Sequence, residues 1–338
     1  MKKTINDLGK YGLVDHIISG FTPGNKTTVI SPGDDSAAIA AGNELVLFSA
    51  DLMLEGIHFN LIYTPLKHLG YKSVIRAISD IYAMNGKPGQ ILISLGISSR
   101  FTLEDIDEFY NGVKLACLKY DVDLAGGDTT SSLTGLTIGL TALGTVSENR
   151  VVKRSGAKPN DLVCVTGDLG ASYMGLQLLE RERRLFESNR DLKPVLEGHE
   201  YIIGRQLKPE FPSDIPDLLE KNGITPTSMT DITEGLASDL LQLCKSSDTG
   251  CRIYRDKIPV AEETGAMAEE FGIDPLVPVL NGGEDYELLF TVPLDQFERL
   301  SRLGRIKIIG HITQNDYGRF IVSGNGEEAE LTAQGWRS

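Results

Sequence analysis

Apolar residues recur along the first half of the chain at the spacings of strands and helices. Short runs rich in β-branched and other apolar residues predict strands at 44–50, 90–96, 122–125 and 136–146. Apolar residues at helical spacing predict a helix over 71–82. The sequence TLED, which begins at Thr102, is similar to a capping box and predicts a helix that reaches about Lys119. The first half therefore mixes strands with helices.

The second half repeats this mixture after a polar, turn-rich stretch at 148–161. Strands are predicted at 162–166, 251–254, 286–292 and 306–311, and helices from the GDLG turn to about 187 and at 236–245, 261–271 and 294–303. The charged, weakly patterned segment 181–213 predicts an exposed helical excursion. Because neither half shows strict βαβ alternation, we expect two α+β domains, residues 1–148 and 149–338.

The charge balance narrows the range of partners. The 338 residues include 33 Lys and Arg against 47 Asp and Glu, which gives a formal net charge of -14. Nucleic acid or an anionic membrane would require a basic face, so we expect neither as a partner. If the protein handles phosphates, it must bring cations into its site.

The cysteines and the amino terminus bear on the cellular compartment. The 4 cysteines form no CxxC pair and no zinc spacing with the 5 histidines, which favours buried thiols in a reducing cytosol. The first residues contain no unbroken apolar stretch of the kind found in signal peptides, and no apolar run approaches the length of a membrane span. We expect a cytoplasmic protein.

The segment GFTPGNKT at 20–27 is the nearest approach to the phosphate-binding P-loop pattern GxxxxGK[ST]. Asn25 stands where that pattern requires its second glycine, and the preceding VDHIIS is a poor buried strand. The segment therefore predicts a flexible, glycine-containing loop and not a P-loop.

Carboxylates instead recur beside glycine or hydroxyl residues near the ends of predicted strands. Asp and Gly are common in turns, so a turn is the better interpretation of any one cluster alone. Taken together, the clusters come from both halves and predict one shared cleft. They are GDD at 33–35, SAD at 49–51, SD at 79–80, GGDTT at 126–130, DITEG at 231–235 and GGED at 282–285.

Carboxylates brought together repel one another unless cations lie between them. Their hard oxygen atoms select Mg²⁺ or Ca²⁺, and their dispersal along the chain argues against a contiguous calcium loop. Several bound Mg²⁺ ions would turn an acidic cleft into a receptor for anions. The glycine pairs at 126–127 and 282–283 either let backbone N–H groups approach a phosphate or form tight turns.

Eight segments, in this order, resemble the signatures of the thiamine-monophosphate kinase family. They are GDDSAAI (33–39), SADLMLEGIHF (49–59), RAISDIYAMNGKP (76–88), LAGGDTT (124–130), RSGAKPND (154–161), VTGDLG (165–170), DITEGLASD (231–239) and NGGEDYELLFTV (281–292). The wider family includes aminoimidazole-ribonucleotide synthetase and selenophosphate synthetase, which use ATP without a P-loop. The similarity runs from about Gly33 to the carboxyl terminus.

The resemblance implies transfer of the γ-phosphate of ATP to thiamine monophosphate, which gives thiamine diphosphate. It also implies an aminoimidazole-ribonucleotide-synthetase-like fold, a homodimer in which the amino-terminal sheets pair, and an active site between the two domains. By position, it implies Mg²⁺ ligands at Asp35, Ser49, Ala50, Asp51, Asp80, Asp128, Asp231 and Glu234. It implies nucleotide contacts at Tyr110, Gly127, Asp128, Arg154 and Thr233, and thiamine monophosphate contacts at His58, Glu284 and Trp336.

The chain departs from the family pattern at 231–235. The family usually has Asp-x-Ser-Asp-Gly where this chain has DITEG. Thr233 keeps the hydroxyl, whereas Glu234 moves its carboxylate outward by one methylene. Ala50 has no side-chain oxygen, so it could offer a metal only its carbonyl.

The acceptor in this reaction would be a phosphate monoester, which is largely a dianion at neutral pH because its second pKa is about 6. No general base or covalent nucleophile is then required. We expect direct in-line transfer, with positioning and Mg²⁺ supplying the catalysis. The ring of Trp336 would stack on the cationic thiazolium ring.

Other functions stay open at this point. A selenophosphate synthetase would need a reactive Cys or selenocysteine near the amino terminus, whereas the first cysteine here is Cys117. The GEDYEL motif and the surroundings of His58 do not match aminoimidazole-ribonucleotide synthetase. A regulatory module that binds a nucleotide or a cation would be stabilised by its ligand without forming a product.

Overall fold

The structure is a computed structural model and describes residues 5–334. Its helices are α1 (Ile5–Ile18), α2 (Leu66–Ala83), α3 (Leu103–Tyr120), α4 (Ala171–Ser188), α5 (Glu200–Leu207), α6 (Ile215–Lys221), α7 (Leu236–Ser246), α8 (Glu262–Glu270), α9 (Leu276–Asn281) and α10 (Phe297–Ser301). Its strands are β1 (Thr28–Ile30), β2 (Ala37–Ala41), β3 (Glu44–Leu54), β4 (Lys87–Ile97), β5 (Asp123–Ser131), β6 (Thr137–Ser147), β7 (Leu162–Thr166), β8 (Ser228–Asp231), β9 (Thr249–Tyr254), β10 (Leu288–Val292), β11 (Ile306–Gln314), β12 (Arg319–Val322) and β13 (Glu328–Glu330).

The amino-terminal sheet has the strand order β1-β2-β3-β6-β4-β5 and is antiparallel except for the pair β4–β5. Along β3, Leu45, Leu47 and Met53 are buried, whereas Phe48 and Leu52 are 38% and 51% exposed. Alternate residues of a strand point to opposite faces of its sheet. One face of the sheet therefore packs against α2, and the other face is open and partly apolar.

Helix α2 lies between the amino-terminal sheet and the second half of the chain. It is buried along most of its length because it packs on β3, β4 and β6 and also contacts β8. Lys72, Arg76 and Asp80 are spaced by four residues, so they share one face of the helix. That face looks towards the second half, where Lys72 and Asp80 meet residues of the carboxyl-terminal sheet and its loops.

The carboxyl-terminal sheet has the order β13-β12-β9-β11-β7-β10-β8, and its strands β7 and β10 are buried along their whole length. On β7, Leu162 and Cys164 belong to the core shared with the amino-terminal half, whereas Val163 and Val165 pack into a second core with α7. Burial on both faces explains why these strands read as continuous apolar runs.

Residues 148–161 connect the two sheets without a helix or strand, and the shared core extends across this connection. The division into 1–148 and 149–338 itself stays a prediction. The predicted helix over 71–82 and the capping box at Thr102 are confirmed: α2 covers the former, and the Thr102 hydroxyl accepts from the Asp105 backbone N–H.

The strand predicted at 122–125 is too short, because β5 continues to Ser131. The sequence GGDTT at 126–130 therefore lies inside a strand and not at its end. A Cβ on Gly127 would come within 1.8 Å of the Ile93 carbonyl oxygen on β4. Close pairing with β4 thus accounts for this glycine without a ligand.

The predicted exposed excursion over 181–213 is wrong for its second part. After α4, residues 189–195 are exposed, but α5 follows and buries Ile202 and Leu207, and Phe211 is buried beyond it. The isolated apolar residues among many charges concealed this packing. The sequence patterns also missed α1, α6, α9, β1, β2, β8, β12 and β13, most of which span only three to seven residues.

Within residues 5–334, no helix is both long and apolar enough to cross a bilayer. The cysteines are free thiols. Cys164, Cys244 and Cys251 are buried, as the sequence predicted, whereas Cys117 is only partly buried. The cytoplasmic location stays a prediction.

We expect Gly112→Ala to lower the free energy of unfolding by about 1–3 kcal/mol. Gly112 is where α3 crosses α2, and an added Cβ would lie 1.8 Å from the Lys67 carbonyl oxygen. Urea denaturation measures the change. The matched control is Gly265→Ala in α8, where nothing lies within 4 Å of the new methyl group; it should leave stability unchanged or raise it by about 0.5–1 kcal/mol. Equal losses in the two variants would contradict the close helix crossing.

Candidate active site

Three carboxylates from distant parts of the sequence meet where α2 faces the carboxyl-terminal sheet. Asp35 precedes β2, Asp80 lies on α2, and Asp231 ends β8. One oxygen from each lies within 4.8 Å of the others. The sequence prediction that these three acidic clusters converge is therefore met in the fold.

The carboxylate cluster is unfavourable without a cation. Burial, followed by the charge of Asp35, raises the pKa of Asp231 to about 7. Burial, followed by the charges of Asp51 and Asp231, raises the pKa of Asp80 well above its ordinary value. The Oδ2 atoms of Asp35 and Asp231 are buried and accept no hydrogen bond from any residue within 5–334. Hard oxygen donors that lack partners fit Mg²⁺.

Basic side chains partly neutralise the neighbouring acids. The Arg154 guanidinium pairs with Asp35, and its backbone N–H donates to Oδ1 of Asp34 over 3.0 Å. Lys10, on α1, pairs with Glu234. The hydroxyl of Thr230 also donates to Oδ1 of Asp35 over 3.0 Å.

These groups surround a cavity of about 450 Å³, which we call the carboxylate cavity. Of the residues singled out from the sequence, the cavity is lined by Asp35, Ala50, Asp51, Asp80, Arg154, Asp231, Thr233 and Glu234. Ser49 lies beside this wall but is buried, and its hydroxyl donates to the Ala77 carbonyl of α2 over 3.4 Å.

The loop 231–235 is shaped by a residue that the sequence analysis did not select. Asp239, in the first turn of α7, accepts the backbone N–H groups of Thr233 and Glu234 over 3.0 and 3.1 Å. Burial, followed by the charge of Asp231, raises the pKa of Asp239 well above its ordinary value. Asp239 lies within the DITEGLASD motif, so the motif held the signal, but an acid in a first helical turn is most often a cap.

Glu284 is held in a strained and heavily bonded segment. Its φ angle is +56° and that of Tyr286 is +53°, a region that non-glycine residues rarely adopt. Its carboxylate accepts from Nζ of the buried Lys72 over 2.7 Å. Burial raises the pKa of Glu284, but Lys72 and Arg76 outweigh burial, and the pKa lies below its ordinary value.

A second network of buried hydrogen bonds and ion pairs fixes the residues that follow Glu284. Both oxygens of Asp285 accept from the Gly170 backbone N–H at the start of α4, over 3.0 and 3.1 Å. Arg205 on α5 pairs with Glu287 at 2.9 Å, and Glu287 also accepts from the Thr166 hydroxyl over 2.5 Å. Asp285 and Glu287, which follow Glu284 in the chain, are therefore fixed by buried polar contacts.

Glu284 also lines a second cavity of about 360 Å³, which we call the aromatic cavity. Its wall includes His58, Tyr63, Tyr173 and Glu180, and the Tyr63 hydroxyl donates to Glu180 over 2.8 Å. No Lys or Arg is found among the described residues of this wall. Glu284 and Glu180 are paired with Lys72 and Arg183, which do not line the cavity. Carboxylates and aromatic faces in one wall are typical of a site for a cationic ring.

His58 is neutral in this setting. Burial, followed by the charge of Arg76, lowers its pKa. Its Nδ1 accepts the Leu54 backbone N–H over 3.0 Å, so the proton of the neutral ring is assigned to Nε2.

The fold does not bring Tyr110, Gly127 and Asp128 to the carboxylate cavity of the same chain. Gly127 and Asp128 lie on β5, separated from β3 and its Asp51 by β6 and β4. Three strand spacings amount to roughly 14 Å. Tyr110 lines a groove between α3 and β5 on this same edge. Trp336 lies outside the described residues.

Lys72 and Arg76 are site residues that the sequence analysis did not select. Arg76 Nε donates to Oδ1 of Asp51 over 3.1 Å, and its Nη1 is 3.6 Å from Oε1 of Glu284. The spacing of four residues from Lys72 to Arg76 to Asp80 was visible in the sequence. It could not be interpreted there, because charges at that spacing usually mark a solvated helix face.

Comparisons with known proteins agree with this arrangement. Family models for the AIR synthase related protein match residues 33–146 (N-terminal domain) and 158–323 (C-terminal domain). The thiamine-monophosphate kinase of Aquifex aeolicus is 32% identical over 308 residues, 90% of this chain and 93% of that protein. The Escherichia coli K12 thiamine-monophosphate kinase is 30% identical over 97% of both chains. The chain belongs to the thiamine-monophosphate kinase family.

Solved structures agree with this membership. A structure described as "AaThiL complexed with AMPPCP and TMP" matches with a TM-score of 0.84 and 29% identity, and the match covers 99% of each chain. The hydrogenase maturation protein HypE in complex with ATP shares the fold at 16% identity, with a TM-score of 0.67 and 97% of this chain covered. The predicted α+β fold of the aminoimidazole-ribonucleotide synthetase type is confirmed, and membership in this kinase family makes the protein an enzyme.

We expect the metal-free kinase to become less stable as the pH rises from 5.5 to 8. Between the ordinary pKa of an Asp, about 4, and the native value of about 7, native Asp231 binds a proton that the unfolded chain has released. The free energy of unfolding therefore falls with pH across this window. In EDTA at pH 8, Asp231→Asn should be more stable than the unmodified protein by roughly 1–3 kcal/mol.

Urea denaturation at pH 5.5 and 8 measures this difference. Adding Mg²⁺ at pH 8 should stabilise the unmodified protein and have a smaller effect on Asp231→Asn. The matched control is Asp107→Asn on the exposed side of α3, which should follow the unmodified protein at both pH values. A pH profile for Asp231→Asn that is identical to that of the unmodified protein would contradict the buried-carboxylate interpretation.

Proposed function

We propose that this chain transfers the γ-phosphate of ATP to thiamine monophosphate, forming thiamine diphosphate and ADP. The proposal is carried by two adjoining cavities with different linings, clustered carboxylates in one and aromatic side chains in the other. The carboxylate cavity suits metal-bound phosphates and the aromatic cavity suits a cationic ring, and Arg76 contacts Asp51 in one wall and Glu284 in the other. The similarity to a kinase described with AMPPCP and TMP supports the same pair of ligands.

Asp35, Asp80 and Asp231 are the residues that would hold Mg²⁺, with Asp51 and Glu234 beside them. Two buried carboxylate oxygens without partners in the described part of the chain support this assignment. Ser49 and the Ala50 carbonyl are additional candidate ligands. Bound Mg²⁺ would neutralise the phosphate groups and hold them in line, and a set of this size suits several ions.

Arg154 and Thr233 would contact the phosphates of ATP, since both line the carboxylate cavity. The Arg154 side chain is 16% exposed and carries a planar set of donors that matches phosphate oxygens. Its backbone N–H bond to Asp34 fixes the start of the side chain.

Thiamine monophosphate would lie in the aromatic cavity. Tyr63, Tyr173 and Glu180 would surround its cationic ring system, and the Nε2–H of His58 would donate to a polar atom of the substrate. The stacking role assigned to Trp336 stays a prediction. Glu284, held by Lys72, would define the end of the cavity nearest the metal ligands.

The transfer itself needs no group on the protein to remove a proton. An oxygen of the acceptor phosphate, already ionised, forms the new bond to the γ-phosphorus while the bond to the bridging oxygen of ADP breaks. The protein would contribute positioning, charge complementarity and exclusion of water. We infer direct in-line transfer without a phosphoenzyme.

The active form would be a homodimer paired through the amino-terminal sheets. The open face of that sheet exposes Phe48 and Leu52, and the edge strand β5 exposes every residue along its length. A second copy is the occupant that this face suits, because Asp128, Gly127 and Tyr110 lie too far from the carboxylate cavity of their own chain. In the dimer, these residues would complete the site of the partner.

A regulatory module without catalysis is the remaining alternative. Incubation with MgATP and thiamine monophosphate separates the two, since only the enzyme forms thiamine diphosphate and ADP. Stabilisation by both ligands without any product would contradict the proposed function.

We expect Asp51→Asn to lower kcat by about 100-fold or more, the scale of losing a charged group that stabilises the transition state. Formation of thiamine diphosphate at saturating substrates and moderate Mg²⁺ measures the loss. Asp107→Asn, which removes a carboxylate from an exposed helix face, should keep full activity. Near-normal turnover of Asp51→Asn would remove this residue from the site.

The composite site can be tested by mixing two inactive variants, Asp51→Asn and Asp128→Asn. Each homodimer should be inactive. A heterodimer purified with two different affinity tags should recover about half the activity of the unmodified dimer, because one of its two sites receives both intact residues. A heterodimer as inactive as its parents would show that Asp51 and Asp128 act from the same chain.

A further inference from the structure

Arg76 occupies the junction between the two cavities. It lines the carboxylate cavity, donates from Nε to Asp51 over 3.1 Å, and approaches Glu284 of the aromatic cavity at 3.6 Å. Its side chain is only 13% exposed, so its position is set by packing within α2 and by these acids.

Most donors of Arg76 are not used by the protein. A guanidinium has five N–H donors in a planar fork, and the hydrogen bonds of Arg76 to other residues within 5–334 involve Nε alone. Its contact with Glu284 is longer than a hydrogen bond. The terminal nitrogens are therefore available to a ligand at the junction.

Lys72, the neighbouring cation on α2, is not available to bind a ligand at the junction. Lys72 is 3% exposed, and its Nζ already donates to Glu284 and, over 2.8 Å, to the Gln206 carbonyl. The described wall of the aromatic cavity contains no Lys or Arg but includes Glu180 and Glu284. A doubly charged phosphate at the end of this cavity would lie beside Glu284, where Arg76 offers it terminal nitrogens that no hydrogen bond within 5–334 occupies.

We propose that Arg76 is the protein's own ligand for the phosphate group of the acceptor, at the point where that phosphate meets the transferred phosphoryl group. The inference rests on the proposed function and adds a specificity-determining residue to it. The planar fork of Arg76 can bind two phosphate oxygens at once, which a lysine cannot do. Arg76 thus selects a phosphorylated acceptor over the corresponding alcohol.

Calorimetry with thiamine monophosphate and with unphosphorylated thiamine tests this assignment, at saturating Mg²⁺ and a non-hydrolysable ATP analogue. In Arg76→Gln, we expect the affinity for thiamine monophosphate to fall by about 10- to 100-fold, the range for a lost charge-assisted contact. The affinity for thiamine should change by less than about twofold. Arg76→Lys should lose less affinity for thiamine monophosphate than Arg76→Gln does, and its affinity for thiamine should likewise stay nearly unchanged.

The matched control is Arg305→Gln, which removes an arginine from an exposed ion pair with Asp214 and should leave both affinities unchanged. Equal losses for the two ligands, or an unchanged affinity for thiamine monophosphate, would overturn the inference and leave Arg76 a structural partner of Asp51 and Glu284. If Arg76→Gln does not fold, as judged by circular dichroism, Arg76→Lys decides by the same criterion. Absence of product with the unmodified protein would instead refute the proposed function.

Discussion

The mutual repulsion of buried carboxylates is the constraint around which this fold is organised. Asp35, Asp80 and Asp231 come from a loop, a helix and a strand end, and each is brought into low-dielectric surroundings where like charges cost free energy. The fold meets this cost with arginine and lysine side chains on the flanks and leaves oxygen atoms unpaired at the centre. Such a site is a poor structural element on its own, which is consistent with the proposed binding of metal-bound phosphates.

Helix α2 makes this arrangement possible because it touches both sheets. It packs on the amino-terminal sheet with its apolar sides, and Lys72, Arg76 and Asp80 lie at successive turns of the face that meets the other half. Along this face, Lys72 lies nearest the aromatic cavity and Asp80 lies in the wall of the carboxylate cavity. Lys72 holds Glu284 at the aromatic side, Arg76 lies between the two cavities, and Asp80 joins the acids at the carboxylate side. The strained residues Glu284 and Tyr286 are kept in position by the buried contacts of Asp285 and Glu287.

Much of this could be predicted from the sequence, because long elements carry periodic patterns and the acidic motifs are compact. The helix over 71–82, the capping box at Thr102 and the convergence of 33–35, 79–80 and 231–235 follow from such local signals. The extent of β5 could not be predicted, because its glycines and threonines are typical of turns and only the pairing with β4 places them in a strand. Arg76 and Asp239 were also missed. The sequence pattern of a charged helical residue is the same whether its side chain faces water or a cavity. Only the packing of α2 and α7 shows that Arg76 and Asp239 face the site.

The alternation along β7 and β10 has a consequence for work with fragments. Leu162, Cys164 and Phe290 supply part of the apolar surface against which the amino-terminal half is packed. Removing the second half would therefore expose one side of α2 to water, and that side carries both apolar residues and charges that would lose their partners. Such a truncated piece should be prone to aggregation and should not retain half of the binding capacity. Each half therefore shields the core of the other from water and is not an independent folding unit.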